Sequence, residues 1–272
     1  MVQLANGPQR RDRTAEYGTI DVVPRKDFCE EFGREYGSGQ HFTGLGPTRR
    51  GKTRLTKELL AKCASRDRKA LVLHGKIRGR DPEIPAMAKQ LNMRIISSYP
   101  PDWRWGDRDR KGFILVPLTK PAETIDMENA ILTREFRKGI HTNYSNVKDD
   151  TILLVDESHQ AQETLKLKKE LEGPLMRGAP QCAEWNNIQR GRFVSYHCYD
   201  APEHIVIFFD PDLSNQKRYS EIGGVDPEYV KYVTKGLQTR TIKTNGGRDK
   251  ATISEALYIK RGGPTLMIVS MD

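Results

Sequence analysis

Eight residues of this chain, from Gly46 to Thr53, follow the spacing G-x-x-x-x-G-K-[ST]. In a loop of this kind, backbone N–H groups surround the phosphates of a nucleotide and the lysine reaches the β- and γ-phosphates. Lys52 is the candidate for that cation, and the Thr53 hydroxyl is the candidate ligand of Mg²⁺. We therefore predict a nucleotide-binding loop made of Gly46, Pro47, Thr48, Arg49, Arg50, Gly51, Lys52 and Thr53.

Such a loop needs a strand that leads into it and a helix that follows it. Residues 41–45 can form a short buried strand. Residues 52–65 predict a helix, because Leu55, Leu59, Leu60 and Cys63 recur on one face. The alternative is a chance glycine-rich turn ahead of a helix, and the order of strand, loop and helix favours the nucleotide site.

A second group of residues that could bind a metal or take part in catalysis follows the most apolar strand, residues 151–155. Asp156 is placed to hold Mg²⁺, and Glu157 to polarise an attacking water. Adjacent residues of a strand point to opposite sides, so the two acids can have different roles. A strand inserted between the loop strand and this acid strand would make Glu157 face the γ-phosphate. The alternative is an ordinary strand that ends in a solvated Asp-Glu pair.

Apolar strands alternate with helical patterns along the rest of the chain, which predicts an α/β fold with a mostly parallel central sheet covered on both faces. We expect a basic, flexible arm over residues 1–16 and a single domain over residues 17–272. Helices are predicted at 26–36, 83–91, 122–139 and 160–177. Further strands are predicted at 70–74, 94–97, 113–117, 185–188 and 205–209, with a closing hairpin of residues 257–259 and 266–269.

Residues 40–53 and the Asp156-Glu157 strand together resemble the HerA/FtsK group of DNA-pumping ATPases, in particular compact phage and actinobacterial members. The resemblance covers residues 30–260. It implies a RecA-like ASCE P-loop fold, hydrolysis of ATP with Mg²⁺, and a homo-oligomeric ring, a hexamer or a pentamer, around double-stranded DNA.

Two further segments are similar to that group. Gln189, in the segment 188–192, resembles the strand-end glutamine whose amide senses the γ-phosphate; the alternative is an exposed loop glutamine. Arg177-Gly178 resembles the family's Gly-Arg step in reversed order, which makes Arg177 a candidate arginine finger toward a neighbouring subunit. Arg190 and Arg192 compete for that role. Arg49 and Arg50 depart from the small residues usual in the loop.

The composition favours a polyanionic partner, because 45 Lys and Arg residues against 36 Asp and Glu residues give a net charge of +9. Charge alone also fits a basic protein with a solvated surface. Two segments are candidate DNA contacts: the loop 102–111, which interleaves Trp103, Arg104 and Trp105 with other basic residues, and the group Lys76, Arg78 and Arg80.

Four scattered cysteines favour reduced thiols. Without an apolar run long enough for a bilayer, we expect no membrane contact and a location in the host cytoplasm.

These patterns predict an ATP-driven translocase of double-stranded DNA, either a viral genome-packaging motor or a phage or plasmid DNA-transfer motor. A viral portal or capsid component would then be a further partner. Two alternatives stay open: a P-loop kinase, which would carry a mobile lid and a substrate acid elsewhere, and a nucleotide-binding scaffold or partition factor with little turnover.

Overall fold

A computed structural model describes residues 20–75, 83–99, 110–117, 124–145, 149–177, 181–244, 249–262 and 265–271. The predicted N-terminal arm, the group Lys76, Arg78 and Arg80, and most of the loop 102–111 lie outside these ranges. Within the described part of the chain, no helix combines the length and the apolarity needed to cross a bilayer.

A ten-stranded sheet forms the centre of the fold. Its strands are β1 (Asp21–Val23), β2 (Phe42–Leu45), β3 (Arg68–His74), β4 (Arg94–Ile96), β5 (Gly112–Leu115), β6 (Asp150–Asp156), β7 (Cys182–Ile188), β8 (His204–Phe208), β11 (Ala256–Lys260) and β12 (Thr265–Val269). They lie in the order β1-β12-β11-β8-β2-β7-β6-β3-β5-β4. Pairing is parallel from β8 across to β4, and β11 is antiparallel to both of its neighbours. A separate ribbon pairs β9 (Thr239–Thr244) with β10 (Asp249–Ser254).

Helices cover both faces of the sheet, so the central strands are buried on each side. One face is covered by α1 (Arg25–Glu35), α2 (Lys52–Cys63) and α3 (Glu83–Leu91). The other face is covered by α4 (Ile125–Ser145), α5 (Lys168–Arg177), α6 (His197–Asp200) and α8 (Pro227–Gly236), and the short α7 (Leu213–Gln216) follows β8.

The position of β7 meets the condition under which Glu157 would face the γ-phosphate. It lies between β2, which leads into the glycine loop, and β6, which carries the acids. In the register of these strands, Leu45 pairs with Ile188 and Val155 pairs with Asn186. The ends of β2, β7 and β6 therefore meet at the carboxyl edge of the sheet, where ligands of open α/β sheets bind.

The predicted continuous helix over residues 160–177 is wrong. A single π-helical turn, Gln160–Thr164, ends before α5 begins at Lys168. Lys166 adopts a left-handed conformation (φ 55°), and the N–H of Leu167 bonds to the carbonyl of Ala161. This is a helix-ending motif with the left-handed residue at its centre. Leu165 and Leu167 are both buried by this break, which a helix continuing through them would not achieve.

The predicted C-terminal hairpin is confirmed as the antiparallel pair β11 and β12. The ribbon β9–β10 and α8 were not predicted. The start of α8 carries a readable signal, since the Asp226 side chain accepts a hydrogen bond from the N–H of Glu228 and Pro227 occupies the first turn.

Candidate nucleotide site

The glycine loop (Gly46–Thr53) turns sharply between β2 and α2. Gly46 and Gly51 have φ values of 143° and 104°, which favour glycine. A Cβ atom at Gly46 would lie 2.8 Å from the Cβ of Phe208, so the loop also passes too close to β8 for a larger residue. No side chain caps the start of α2, and its first backbone bond runs from Leu55 N–H to the Gly51 carbonyl. The N–H groups ahead of Leu55 thus face the loop, as in an anion site.

Lys52 is buried and turns back into its own loop. Its Nζ donates to the carbonyl of Pro47 at 2.7 Å and to the carbonyl of Gly46. Burial lowers the pKa of Lys52 to about 8, although the nearby carboxylates of Asp156 and Asp210 act in the opposite direction. The cation predicted to reach phosphates is therefore present inside the loop, next to acidic groups of β6 and the segment after β8.

Asp156 ends β6 between two polar side chains from the flanking strands. Asn187 of β7 donates its Nδ2 to Oδ1 of Asp156 at 3.1 Å, and Nδ1 of His74 on β3 lies 3.2 Å from Oδ2. Burial alone would raise the pKa of Asp156, but His74 and the Asn187 amide lower it below its usual range. The group is thus held as a carboxylate, the form that a hard divalent cation prefers.

Glu157 follows in a left-handed conformation (φ 61°), which is costly for a residue with a side chain and is typical of functional sites. Its Oε1 accepts a hydrogen bond from Nε2 of Gln189 at 3.2 Å. The other end of the same amide accepts from the Thr48 hydroxyl at 3.0 Å. Gln189 therefore connects the predicted base to the glycine loop.

The three candidate arginines lie in different places. Arg190 and Arg192 are exposed just after Gln189, and the Arg192 guanidinium lies 4.4 Å from the ring centroid of Phe193. Arg177 is exposed at the end of α5, beside the last turns of α4. That end faces the starts of β6 and β7, so the structure does not bring Arg177 to the loop of its own chain. A finger toward a neighbouring subunit needs no such contact, and all three remain predictions.

The two arginines of the loop differ in their surroundings. Arg49 is exposed in a left-handed conformation (φ 64°). The guanidinium of Arg50 lies 5.2 Å from the ring centroid of Phe209. The backbone carbonyl of Arg50 accepts a hydrogen bond from the N–H of Ser254. Arg50 therefore joins the loop to the base of the β9–β10 ribbon.

Three residues of the site were missed in the sequence: His74, Asn187 and Thr56. The Thr56 hydroxyl, one turn after Lys52, donates to Oδ1 of Asn187 at 2.8 Å. The available signal was a polar residue at the carboxyl end of a strand that is otherwise apolar, as His74 is after residues 70–73. Parallel strands bring such ends together, which makes them candidates for one site.

No protein-family model matches the sequence, and no curated protein matches it. Solved structures of viral ATPases do match. B204, the DNA-packaging ATPase of Sulfolobus turreted icosahedral virus, aligns with a TM-score of 0.52 at 12% identity, over 86% of this chain and 98% of that chain. The genome packaging NTPase B204 of Sulfolobus turreted icosahedral virus 2, in complex with AMP, aligns with a TM-score of 0.53 at 12% identity, over 85% and 96% of the two chains.

These alignments span nearly the whole of the viral proteins at very low sequence identity, so they bear on the fold. The mostly parallel sheet with helices on both faces is the architecture predicted from the sequence. The chain therefore shares the α/β fold of the matching viral ATPases.

Proposed function

We propose that this chain is an ATP-driven translocase of double-stranded DNA that works as a genome-packaging or DNA-transfer motor. The observation that carries the proposal is the insertion of β7 between β2 and β6. Because of it, Glu157 lies beside the glycine loop and is linked to Thr48 through one glutamine amide. A loop, a metal-binding acid and a base in this arrangement are what hydrolysis of a nucleoside triphosphate requires.

The residues present fit ATP and Mg²⁺. The left-handed glycines and the uncapped start of α2 offer a cradle of N–H groups, and Lys52 supplies a cation. Thr53 and Asp156 would hold Mg²⁺, which when bound offsets the charge of the phosphates. Glu157 would accept a proton from the attacking water, and Gln189 would keep its carboxylate oriented. The matching B204 structure in complex with AMPPCP (TM-score 0.50, 13% identity, 85% and 97% of the two chains) supports nucleotide binding at such a fold.

A ring of identical subunits would complete the site, with an arginine reaching the nucleotide of its neighbour. Arg190 and Arg192 lie at the carboxyl edge of the sheet next to Gln189, whereas Arg177 lies at the far end of α5. A fixed guanidinium at the transferring phosphate would stabilise the charge of the transition state.

Duplex DNA is the proposed substrate, and a capsid or portal component is the proposed partner of a packaging motor. The net charge of +9 and the genome-packaging role of the matching viral proteins support a DNA partner. Within the described residues, the β9–β10 ribbon offers a route from nucleotide to DNA. The sequence of its two strands includes Arg240, Lys243 and Lys250, and Arg240 is exposed. At the base of the ribbon, the N–H of Ser254 donates a hydrogen bond to the carbonyl of Arg50.

The proposal is tested by measuring phosphate release from ATP by the full chain, alone and with linear duplex DNA. We expect turnover that requires Mg²⁺ and rises with duplex DNA but not with an equal mass of a neutral polymer. A rate of turnover that is the same with and without duplex DNA would contradict the proposed motor function. Turnover only with a small acceptor would indicate the kinase alternative, and binding without turnover under every condition would indicate the scaffold.

A further inference from the structure

Strand β7 carries two adjacent asparagines, Asn186 and Asn187, in a strand that is buried along its whole length. Both side chains are almost fully excluded from solvent. Burying an amide is costly unless each of its polar atoms finds a partner. The two amides point to opposite faces of the sheet, since side chains alternate along a strand. The hydrogen-bond partners of Asn186 and Asn187 therefore indicate a separate role for each amide.

The contacts of Asn187 leave one orientation of its amide. A carboxylate only accepts hydrogen bonds, so the group that lies 3.1 Å from Oδ1 of Asp156 must be the NH₂. The carbonyl oxygen of the amide then faces Thr56, whose hydroxyl donates to it at 2.8 Å. Thr56 is 1% exposed, and it belongs to α2, the helix that begins at Lys52.

These two bonds form a bridge from α2 through β7 to the end of β6. The helix end of this bridge is one turn from Thr53, and its other end is the carboxylate of Asp156. The distance between the two proposed Mg²⁺ ligands is thus tied to a buried amide that is not itself a ligand. Among the described residues, no side-chain hydrogen bond joins Thr56 or Asn187 to the glycine loop.

We propose that Asn187, oriented by Thr56, is a positioning residue that sets Asp156 for Mg²⁺. The inference rests on the proposed nucleotide site, but not on hydrolysis or on DNA. Loss of the bridge should weaken the contribution of Mg²⁺ to nucleotide binding and leave metal-free binding unchanged, because the glycine loop and Lys52 are not altered.

Asn186 provides a matched control in the same strand. Its side chain accepts from the Ser158 hydroxyl at 2.7 Å and donates to Glu184 at 2.7 Å, and within the described part of the chain its amide makes no hydrogen bond with Asp156. The substitution Asn186→Leu therefore removes an equally buried amide from the neighbouring position. It should cost stability as Asn187→Leu does, without affecting the metal.

The experiment measures the affinity for AMPPCP by calorimetry, with Mg²⁺ and with EDTA, and takes the ratio of the two dissociation constants. We expect Asn187→Leu and Thr56→Val to reduce the ratio about tenfold with unchanged affinity in EDTA, which corresponds to about 1.4 kcal/mol. Thr56→Ser, which keeps the hydroxyl, and Asn186→Leu should retain the wild-type ratio. Thermal unfolding identifies any variant that does not fold. Thr56→Val and Thr56→Ser change few atoms, so these two variants are sufficient to test the bridge if Asn187→Leu does not fold.

The inference is overturned if Thr56→Val and Asn187→Leu keep the wild-type ratio, or if Asn186→Leu reduces it equally. It is also overturned if the wild-type protein binds AMPPCP equally well with and without Mg²⁺. If the ratio behaves as expected but ATP is not hydrolysed, the proposed motor function fails while the bridge stands.

Discussion

The amide of Gln189 donates a hydrogen bond to the carboxylate of Glu157 at 3.2 Å. Glu157 is in a left-handed conformation, so its direction depends on contacts of this kind more than on the strand that precedes it. The same amide accepts from Thr48, which makes Gln189 the connection between the proposed base and the glycine loop.

Replacing Gln189 by alanine should lower the rate of ATP hydrolysis about 10²-fold, because the base loses its orientation and the transition state loses a donor. The affinity for AMPPCP should change little, since no loop N–H group is removed. Steady-state phosphate release and calorimetry measure the two quantities. A large loss of affinity with unchanged kcat would show that Gln189 serves binding instead.

Replacing Glu157 by glutamine should remove the base and reduce hydrolysis by at least about 10²-fold. The amide can keep a hydrogen bond with Gln189, so the variant should still bind ATP and accumulate as the ATP-bound protein. Quenched-flow measurement of bound ATP and ADP checks this. Hydrolysis at the wild-type rate would remove Glu157 from the mechanism.

Mixing experiments distinguish the three arginines. A finger variant should lose activity alone, yet it should recover part of it when mixed with Glu157→Gln subunits, because each supplies what the other lacks at a shared interface. Arg177→Ala, Arg190→Ala and Arg192→Ala are compared in this assay. A variant that is fully active alone is not the finger, and one that is inactive in every mixture acts within its own subunit or on folding.

Substituting Gly46 by alanine should disrupt the loop. The added methyl group would approach the Cβ of Phe208 to 2.8 Å at a φ of 143°, and the resulting shift should cost about 1–3 kcal/mol of stability. Gly173 in α5 is the matched control, because nothing lies within 4 Å of a Cβ there. Gly173→Ala should be neutral or stabilising by about 0.5–1 kcal/mol. Equal melting temperatures for the two variants would contradict the prediction that the loop cannot accommodate a methyl group at Gly46.

Glu184 should make stability depend on pH. Burial raises the pKa of Glu184 to about 8, despite the hydrogen bond from Asn186. The folded protein therefore keeps a proton that the unfolded chain releases above the ordinary glutamate pKa of 4.5. Between these two values the contribution of Glu184 to stability falls as pH rises, by up to about 1.4 kcal/mol per pH unit.

Glu184→Gln lacks this titration and keeps an oxygen that can accept from Asn186. Urea unfolding between pH 5 and 8 should show the variant gaining stability relative to the wild type as pH rises. Parallel curves for the two proteins would mean that Glu184 is not protonated in the fold.

The sequence was sufficient for the parts of this molecule that local patterns determine. The glycine loop and the acid strand were predicted because an apolar strand and a fixed loop spacing are visible in one dimension, whereas the place of β7 between β2 and β6 is visible only in the sheet. Asn187 and His74 were not predicted, since a polar residue at a strand end acquires meaning only when its neighbours in the sheet are known. The break at Lys166 likewise depends on the burial of Leu165 and Leu167 against other helices.

The Nζ of Lys52 donates hydrogen bonds to the carbonyls of Pro47 and Gly46. To reach the phosphates of a nucleotide as proposed, Lys52 must exchange these carbonyls for phosphate oxygens, so the affinity is the difference between two sets of partners. A ligand with little negative charge gains nothing from this exchange, whereas a polyphosphate does. We therefore expect the proposed site to disfavour nucleosides and monophosphates, because Lys52 must give up these bonds before any contact with a base or sugar is considered.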